Sequence, residues 1–200
     1  CPPPLDAPSK LANPGIEPGE IPELWHFEMP TRHIDRRSPV YTLLPGESGA
    51  WNQLEKYIWE KRHIHHYKKT RNGMTEWQQS SRLSPYLAIG CISPRSVMKQ
   101  IIAFENRVAK NESTYWLTFE LLWRDYFHWI AWGHGNALFK RAGLQGRELQ
   151  WNGAGEDFVR WCEGDTKWPF IDACMQELAS SGYMSNRGRQ VVASFLAKER

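Results

Sequence analysis

From Trp51 onward, apolar positions recur at helical spacing and no segment alternates as a strand would. In WNQLEKYIWEKR, Trp51, Leu54, Tyr57 and Ile58 share one side with charges opposite, which predicts a helix lying on a core. SPYLAIGCISPR carries Ser-Pro twice. Ser84-Pro85 and Ser93-Pro94 each offer a capping hydroxyl followed by proline at a first helical position, and Gly90 stops the first of these helices. Another helix is predicted over about 172–181, with Asp172 near its start and Gly182 as its stop. STYWLTFELLWRDYFHWIAW, residues 113–132, is apolar nearly all round and predicts a buried helix. Near the end of the chain, Asn186, Arg187 and Arg189 stand at the mouth of the apolar run Val191, Val192, Ala193, Phe195 and Leu196. A guanidinium at the mouth of a buried helix calls for an anion. The pattern predicts an all-α domain over residues 40–200, without internal repeats.

Residues 1–39 break the pattern. They carry Pro2, Pro3, Pro4, Pro8, Pro14, Pro18, Pro22, Pro30 and Pro39 with little apolar periodicity, and read as an extended connector. Two hundred residues with 41% apolar content suffice for one core, and the 11 tryptophans suit a helical core with aromatic ligand surfaces. A net charge of +3 permits an anionic partner without demanding one. Cys1, Cys91, Cys162 and Cys174 show neither disulfide-framework nor zinc-ligand spacing, so no metal site is expected and a reducing compartment fits. The longest charge-free stretch, 126–139, is too short to span a bilayer, which predicts a soluble intracellular protein. The chain starts at Cys1 without a readable leader, and residue 200 falls inside a helical pattern, so a fragment is expected.

Three stretches carry candidate chemistry. Glu120, Arg124 and His128 stand four apart on one stripe of the 113–132 helix, with Trp116, Trp123 and Phe127 beside them. That stripe reads as the lining of a cavity, or as a structural Glu120–Arg124 ion pair. In SSRLSP, Ser80, Ser81, Arg82 and Ser84 precede a helix and suit a phosphate, although ordinary capping accounts for Ser84. EKRHIHHYKKTR, residues 60–71, interleaves basic residues with rings. This suits a nucleic-acid backbone, but it is also how a solvated helix end reads.

Together these motifs resemble the helical FAD-binding domain of the photolyase/cryptochrome family, most closely its DASH branch. Tyr67 through TRNGM, SSRLSPYLAIGCISPR, STYWLTFELLWRDYF, LQW at 149–151, WPFIDACMQEL at 168–178 and GYMSNRGRQVVASFL occur in the family's order. Gln190 favours the DASH branch, whereas Arg82-Leu83 resembles ordinary photolyases and Lys167-Trp168 stands where the family commonly has Gly-Tyr.

The resemblance implies FAD as cofactor, held by Tyr67, Ser80, Ser81, Arg82, Leu83, Ser84, Arg124, Asn186 and Arg189. It implies Glu120, Trp123 and Asn186 as catalytic residues and Trp151 as the outermost tryptophan of an electron-transfer chain. Arg71, Glu120, Trp123, Arg124, Tyr126, Phe127 and Arg187 are implied at a DNA surface. The implied activity is that of a blue-light photoreceptor or DNA photolyase, splitting cyclobutane pyrimidine dimers in single-stranded, UV-damaged DNA by light-driven electron transfer from reduced FAD. A monomer without membrane contact is expected. The alternative is a flavin-free helical nucleic-acid-binding module of the same ancestry. The resemblance also implies an N-terminal α/β antenna domain, which this chain lacks, with a folate antenna it does not bind. Further helices beyond residue 200, which would complete the flavin pocket, are implied as well.

Overall fold

The computed structural model describes residues 2–10, 15, 17, 19, 20, 39–148, 150, 153 and 155–199. Most of the expected connector and the LQW motif except Gln150 therefore lie outside the described residues. Those described form helices and no strand, as the periodicity predicts.

Helix α1, Gly46–Glu55, runs into a single π-helical turn, Lys56–Glu60, closed by Lys61 N–H donating to the Lys56 carbonyl at 3.0 Å. Of its expected apolar side, Leu54, Tyr57 and Ile58 are buried while Trp51 is half exposed. Arg62 then takes a left-handed conformation (φ 52°), and a 3₁₀ turn, His63–His66, leads into the short α2, Tyr67–Thr70. Helix α3, Ser84–Ala88, starts at the expected Ser-Pro, and Gly90 (φ 78°) supplies its left-handed stop. Ser84, however, is its first helical residue and caps nothing. Ser93 does cap α4, Pro94–Arg107, its hydroxyl accepting from Ser96 N–H at 3.0 Å.

Helix α5, Glu112–His134, begins at a knot the hydropathy pattern does not show. Asn111 Oδ1 accepts from Ser113 N–H (2.8 Å) and Thr114 N–H (3.0 Å), while the buried Thr114 hydroxyl donates to Glu105 at 2.6 Å. Asn111 Nδ2 also donates to the His65 carbonyl at 3.2 Å, fixing α5 against the 63–66 turn. Parallel to it, Lys68 pairs with Glu112 and Arg71 with Glu120, and Trp116 lies beneath both cations, 4.6 Å from Lys68 Nζ and 5.3 Å from the Arg71 guanidinium carbon.

The expectation of a buried α5 is corrected in part. Ser113, Thr114, Leu117 and Leu121 are buried, whereas Trp123, Tyr126, Phe127, Trp129 and Trp132 are exposed.

Two apolar cores result. The first joins α1, α3, α4 and the first half of α5 around Leu54, Ile58, Ile64, Ile101 and Phe104. The second joins α6 (Glu156–Glu163), α7 (Pro169–Ser181) and α8 (Asn186–Glu199) around Ile171, Cys174, Met175, Met184 and Val192. Helix α7 starts three residues before Asp172 because Pro169 occupies its first turn. Asp172 instead accepts from the Thr166 hydroxyl (2.6 Å) and N–H (2.7 Å) of the preceding turn. Gly182 (φ 71°) stops α7 as expected. The apolar run of α8 is only partly covered, with Gly188 and Val192 buried.

Arg82 joins the two cores. Only 6% exposed and left-handed (φ 55°), it places its guanidinium 4.4 Å from the Trp77 ring centre and 4.5 Å from that of Tyr183. Its Nε donates to the Trp77 carbonyl at 2.8 Å. Desolvation lowers its pKa, and the Glu177 charge opposes that shift. Replacing Arg82 by Ala leaves this gap unfilled and the Trp77 carbonyl unpaired. The expected loss is about 2–4 kcal/mol of unfolding free energy in urea, with Arg82→Lys recovering only part because it lacks the planar fork. An unchanged midpoint in Arg82→Ala would show that the cores are held together otherwise.

Candidate functional site

The bend at Arg82 divides the Ser80–Ser84 run. Arg82 turns into the sandwich just described, whereas Ser81, Leu83 and Ser84 line a cavity of about 420 Å³ between α3 and α5. Tyr67 forms part of the wall from α2, and α5 contributes Glu120, Arg124 and His128. All three polar members of the expected α5 stripe thus meet the serines in one place, although about forty residues separate the segments. Leu87, Val97, Leu117 and Leu121 supply the apolar wall. The hydropathy pattern gives no sign that these four face a cavity.

The Glu120–Arg124 ion pair does not form. Glu120 pairs with Arg71 across the α2–α5 contact, and Arg124 Nη1 donates to Asp125 at 3.2 Å, its Nη2 lying 3.5 Å from the Leu87 carbonyl. The Ser81 and Ser84 hydroxyls have no hydrogen-bond partner among the described residues. The cavity therefore combines hydroxyl donors, the Arg124 guanidinium and the Glu120 carboxylate with a hydrocarbon lining. Such a donor set suits a phosphate attached to a planar aromatic body, and the residues present fit part of a flavin dinucleotide.

The remaining candidates are distributed around this cavity. Ser80 lines a separate, neighbouring cavity. Arg82 lies outside the candidate cofactor site because the left-handed bend directs its side chain to Trp77 and Tyr183. Trp123, Tyr126 and Phe127 stand on the exposed face of α5, with Trp123 stacked on Phe127 at 5.6 Å and edge-on to Tyr126 at 5.4 Å. Arg71 does not line the cavity but pairs with Glu120, which does.

Asn186, Arg187 and Arg189 sit exposed in the first turn of α8, not in the cavity. Arg189 Nε donates to the Met184 carbonyl at 3.1 Å, and Arg187 Nη1 donates to Gln190 at 3.0 Å on the rim of a groove lined by Trp168 and Phe195. Neither guanidinium is buried, so the anion inferred from the helix mouth is not required by desolvation. Trp151 lies outside the described residues. Among the described residues no cluster of metal-ligating side chains occurs, no helix is long and apolar enough to cross a membrane, and Cys91, Cys162 and Cys174 are free thiols.

Comparison with known proteins places these features. The family model described as the FAD binding domain of DNA photolyase matches residues 116–200. "Cryptochrome DASH" of Gloeobacter violaceus is 48% identical over 98% of this chain and 39% of its own length. The protein of the same name from Danio rerio is 44% identical, over 98% of this chain and 38% of its own. Among solved structures, a Synechocystis cryptochrome superposes with a TM-score of 0.85 at 42% identity, covering 92% of this chain and 38% of that one. A class III photolyase from Agrobacterium tumefaciens gives 0.76 at 28% identity over the same shares.

The helical architecture is thus that of the photolyase FAD-binding domain, whose cofactor is FAD. The chain is similar over nearly its whole length to cryptochrome DASH proteins, and its residues 116–200 match the model of the photolyase FAD-binding domain. It spans about two fifths of the length of those relatives.

Tyr67 gives the cavity a titratable marker. Burial, reinforced by the Glu120 carboxylate and opposed by Arg71, pushes its phenol from 10.0 up to about 12. The folded chain holds this proton more tightly than the unfolded chain does, so stability present below pH 10.0 is lost as pH rises through about 12. Tyr67→Phe is expected to flatten the alkaline fall of the urea midpoint across that window. An identical fall in wild type and variant would contradict the assigned environment.

Proposed function

We propose that this chain is part of a flavin-dependent DNA photolyase or blue-light photoreceptor of DASH type, acting on cyclobutane pyrimidine dimers in single-stranded DNA. The observation that carries this reading is the cavity in which Tyr67, Ser81, Leu83, Ser84, Glu120 and Arg124 converge beside an exposed aromatic face. When bound and reduced, FAD supplies a light-excitable one-electron donor able to open the cyclobutane ring.

The side chains have separate tasks. The Ser81 and Ser84 hydroxyls and the Arg124 guanidinium hold phosphate oxygens, and Leu87, Leu117 and Leu121 keep water from the ring system. Tyr67 stays a neutral O–H donor well above physiological pH. Glu120, fixed by Arg71, offers a carboxylate oxygen to the N–H edge of a base brought to the rim. Trp123, Tyr126 and Phe127 offer stacking surfaces to unpaired bases, and the exposed Arg187 meets the strand's phosphates. A single strand suits this surface because its bases are already unpaired, and the reading needs only one copy of the chain. Asn186 and Arg189 join the flavin in this reading from the first turn of α8.

The second reading is the flavin-free nucleic-acid-binding module. It is favoured by the exposure of Asn186 and Arg189 outside the cavity while the aromatic face is already displayed.

The test is the visible absorption spectrum after incubation with FAD and removal of free cofactor. Structured flavin bands near one per chain are expected, falling at least about tenfold in apparent affinity in Ser81→Ala/Ser84→Ala, two lost charge-assisted hydrogen bonds. A bare protein spectrum from folded wild type would overturn the flavoprotein reading for this chain. In the same preparation, Trp123→Ala is expected to weaken oligothymidine binding by about 1–3 kcal/mol at fixed salt. Unaltered binding would remove the aromatic face from the DNA surface.

A further inference from the structure

The exposed rings of α5 do not end at Phe127. Trp123, Tyr126, Trp129 and Trp132 recur every three residues, each step rising about 4.5 Å along the helix and turning about 60° around it. Residues at that spacing are neighbours on a helix surface, so the four rings form one winding ridge. The proposed DNA surface uses the first two and leaves Trp129 and Trp132 without a task, although they are 72% and 85% exposed. Just past the helix, the 3₁₀ turn Gly135–Phe139 presents Phe139, which is 88% exposed.

Large rings standing together in water mark a surface that a partner covers, and the charges beside them give the partner's sign. From residue 126 to residue 147 the sequence holds no aspartate or glutamate, while Lys140, Arg141 and Arg147 follow the rings and are exposed. The acid just before this stretch, Asp125, is paired with Arg124 at 3.2 Å. Turns keep the cations close behind Phe139. Lys140 N–H donates to the Ala137 carbonyl (3.3 Å), Gly143 N–H to that of Lys140 (2.8 Å), and Arg147 N–H to that of Ala142 (3.1 Å).

Rings followed by cations, with no acid among them, suit a polyanion that also offers flat apolar faces, and an unpaired nucleic-acid strand has that chemistry. A second copy of the chain fits worse, because it would set the same cations against each other. A bilayer surface fits worse too, since the rings wind round α5 and do not share one face. A duplex is too stiff to follow the ridge, whereas a single strand bends with it. We infer that Trp129, Trp132 and Phe139, with Lys140 and Arg147 behind them, form a second stacking platform for single-stranded nucleic acid, lengthening the footprint beyond the Trp123 face. This rests on the nucleic-acid half of the proposed function and not on the flavin.

The test is a fluorescence-anisotropy titration of the 200-residue chain with an oligothymidine of about 15 nucleotides, and with a duplex of the same length. Trp129→Ala/Trp132→Ala is expected to weaken the single strand at least about tenfold at fixed salt, with the urea midpoint unchanged because both rings are exposed. Lys140→Gln/Arg147→Gln is expected to make the slope of log affinity against log salt shallower by about 1.4, two lost phosphate contacts. If Trp123→Ala weakens binding and the Trp129/Trp132 pair does not, the inference is overturned while the DNA reading stands. If wild type binds no oligothymidine, both are overturned together. A duplex bound as tightly as the single strand would reduce the contact to charge alone and remove the platform. Self-association that the Trp129/Trp132 pair abolishes, with oligothymidine affinity untouched, would make the face a contact between copies and overturn the inference as well.

Discussion

The arrangement depends on one left-handed residue. With Arg82 at φ 55°, the Ser80–Ser84 run cannot continue as helix or strand, and its side chains separate in three directions. Ser81, Leu83 and Ser84 go to the cavity against α5, Ser80 goes to the neighbouring cavity, and the guanidinium goes between Trp77 and Tyr183. A positive φ is costly for a residue with a Cβ, and it persists only where the surroundings over-determine it. Here they do, because the guanidinium is flanked by two rings and hydrogen-bonded to the Trp77 carbonyl. One side chain thereby couples the packing of α7 and α8 to the position of the hydroxyls proposed to hold phosphate.

Helix α5 divides what the domain shows to its inside and outside. Its first half is anchored by the Asn111 cap and by two ion pairs to α2, which fix Glu120 at the rim of the cavity. From Phe119 through Trp123 to Tyr126 and Phe127 it carries aromatic rings that pack on each other. An exposed apolar face of this kind marks an interaction surface on a stable protein. The proposed division of labour follows: a polar-and-apolar cavity for a cofactor, with Glu120 in its wall and paired to Arg71, and on the same helix a stacking face for bases.

Much of this was legible in the chain. The stops at Gly90 and Gly182 and the cap at Ser93 are local decisions of backbone and hydroxyl, and these appear as the spacing predicts. The stripe Glu120, Arg124, His128 was readable because polar residues four apart on an apolar helix have few reasons to be there, and all three line the cavity. What failed was long-range. Nothing local distinguishes Arg82 inside SSRLSP from a phosphate ligand, because its partners are Trp77, five positions earlier, and Tyr183, a hundred positions later. Apolar character all round α5 signals burial, but it cannot say whether the cover belongs to the described chain. The charge on Arg187 and Arg189 likewise says nothing of how much solvent reaches them, and both are exposed.

The central claim is that the cavity between α3 and α5 seats the flavin. Hydrogen–deuterium exchange of the chain, with and without saturating FAD, tests it most directly, because it reads where the cofactor lies whether or not the chain turns over. The account predicts new protection concentrated in residues 80–88 and 117–128, where the serines and the α5 stripe meet. Protection confined to α7 and α8, with those two segments unchanged, would contradict it.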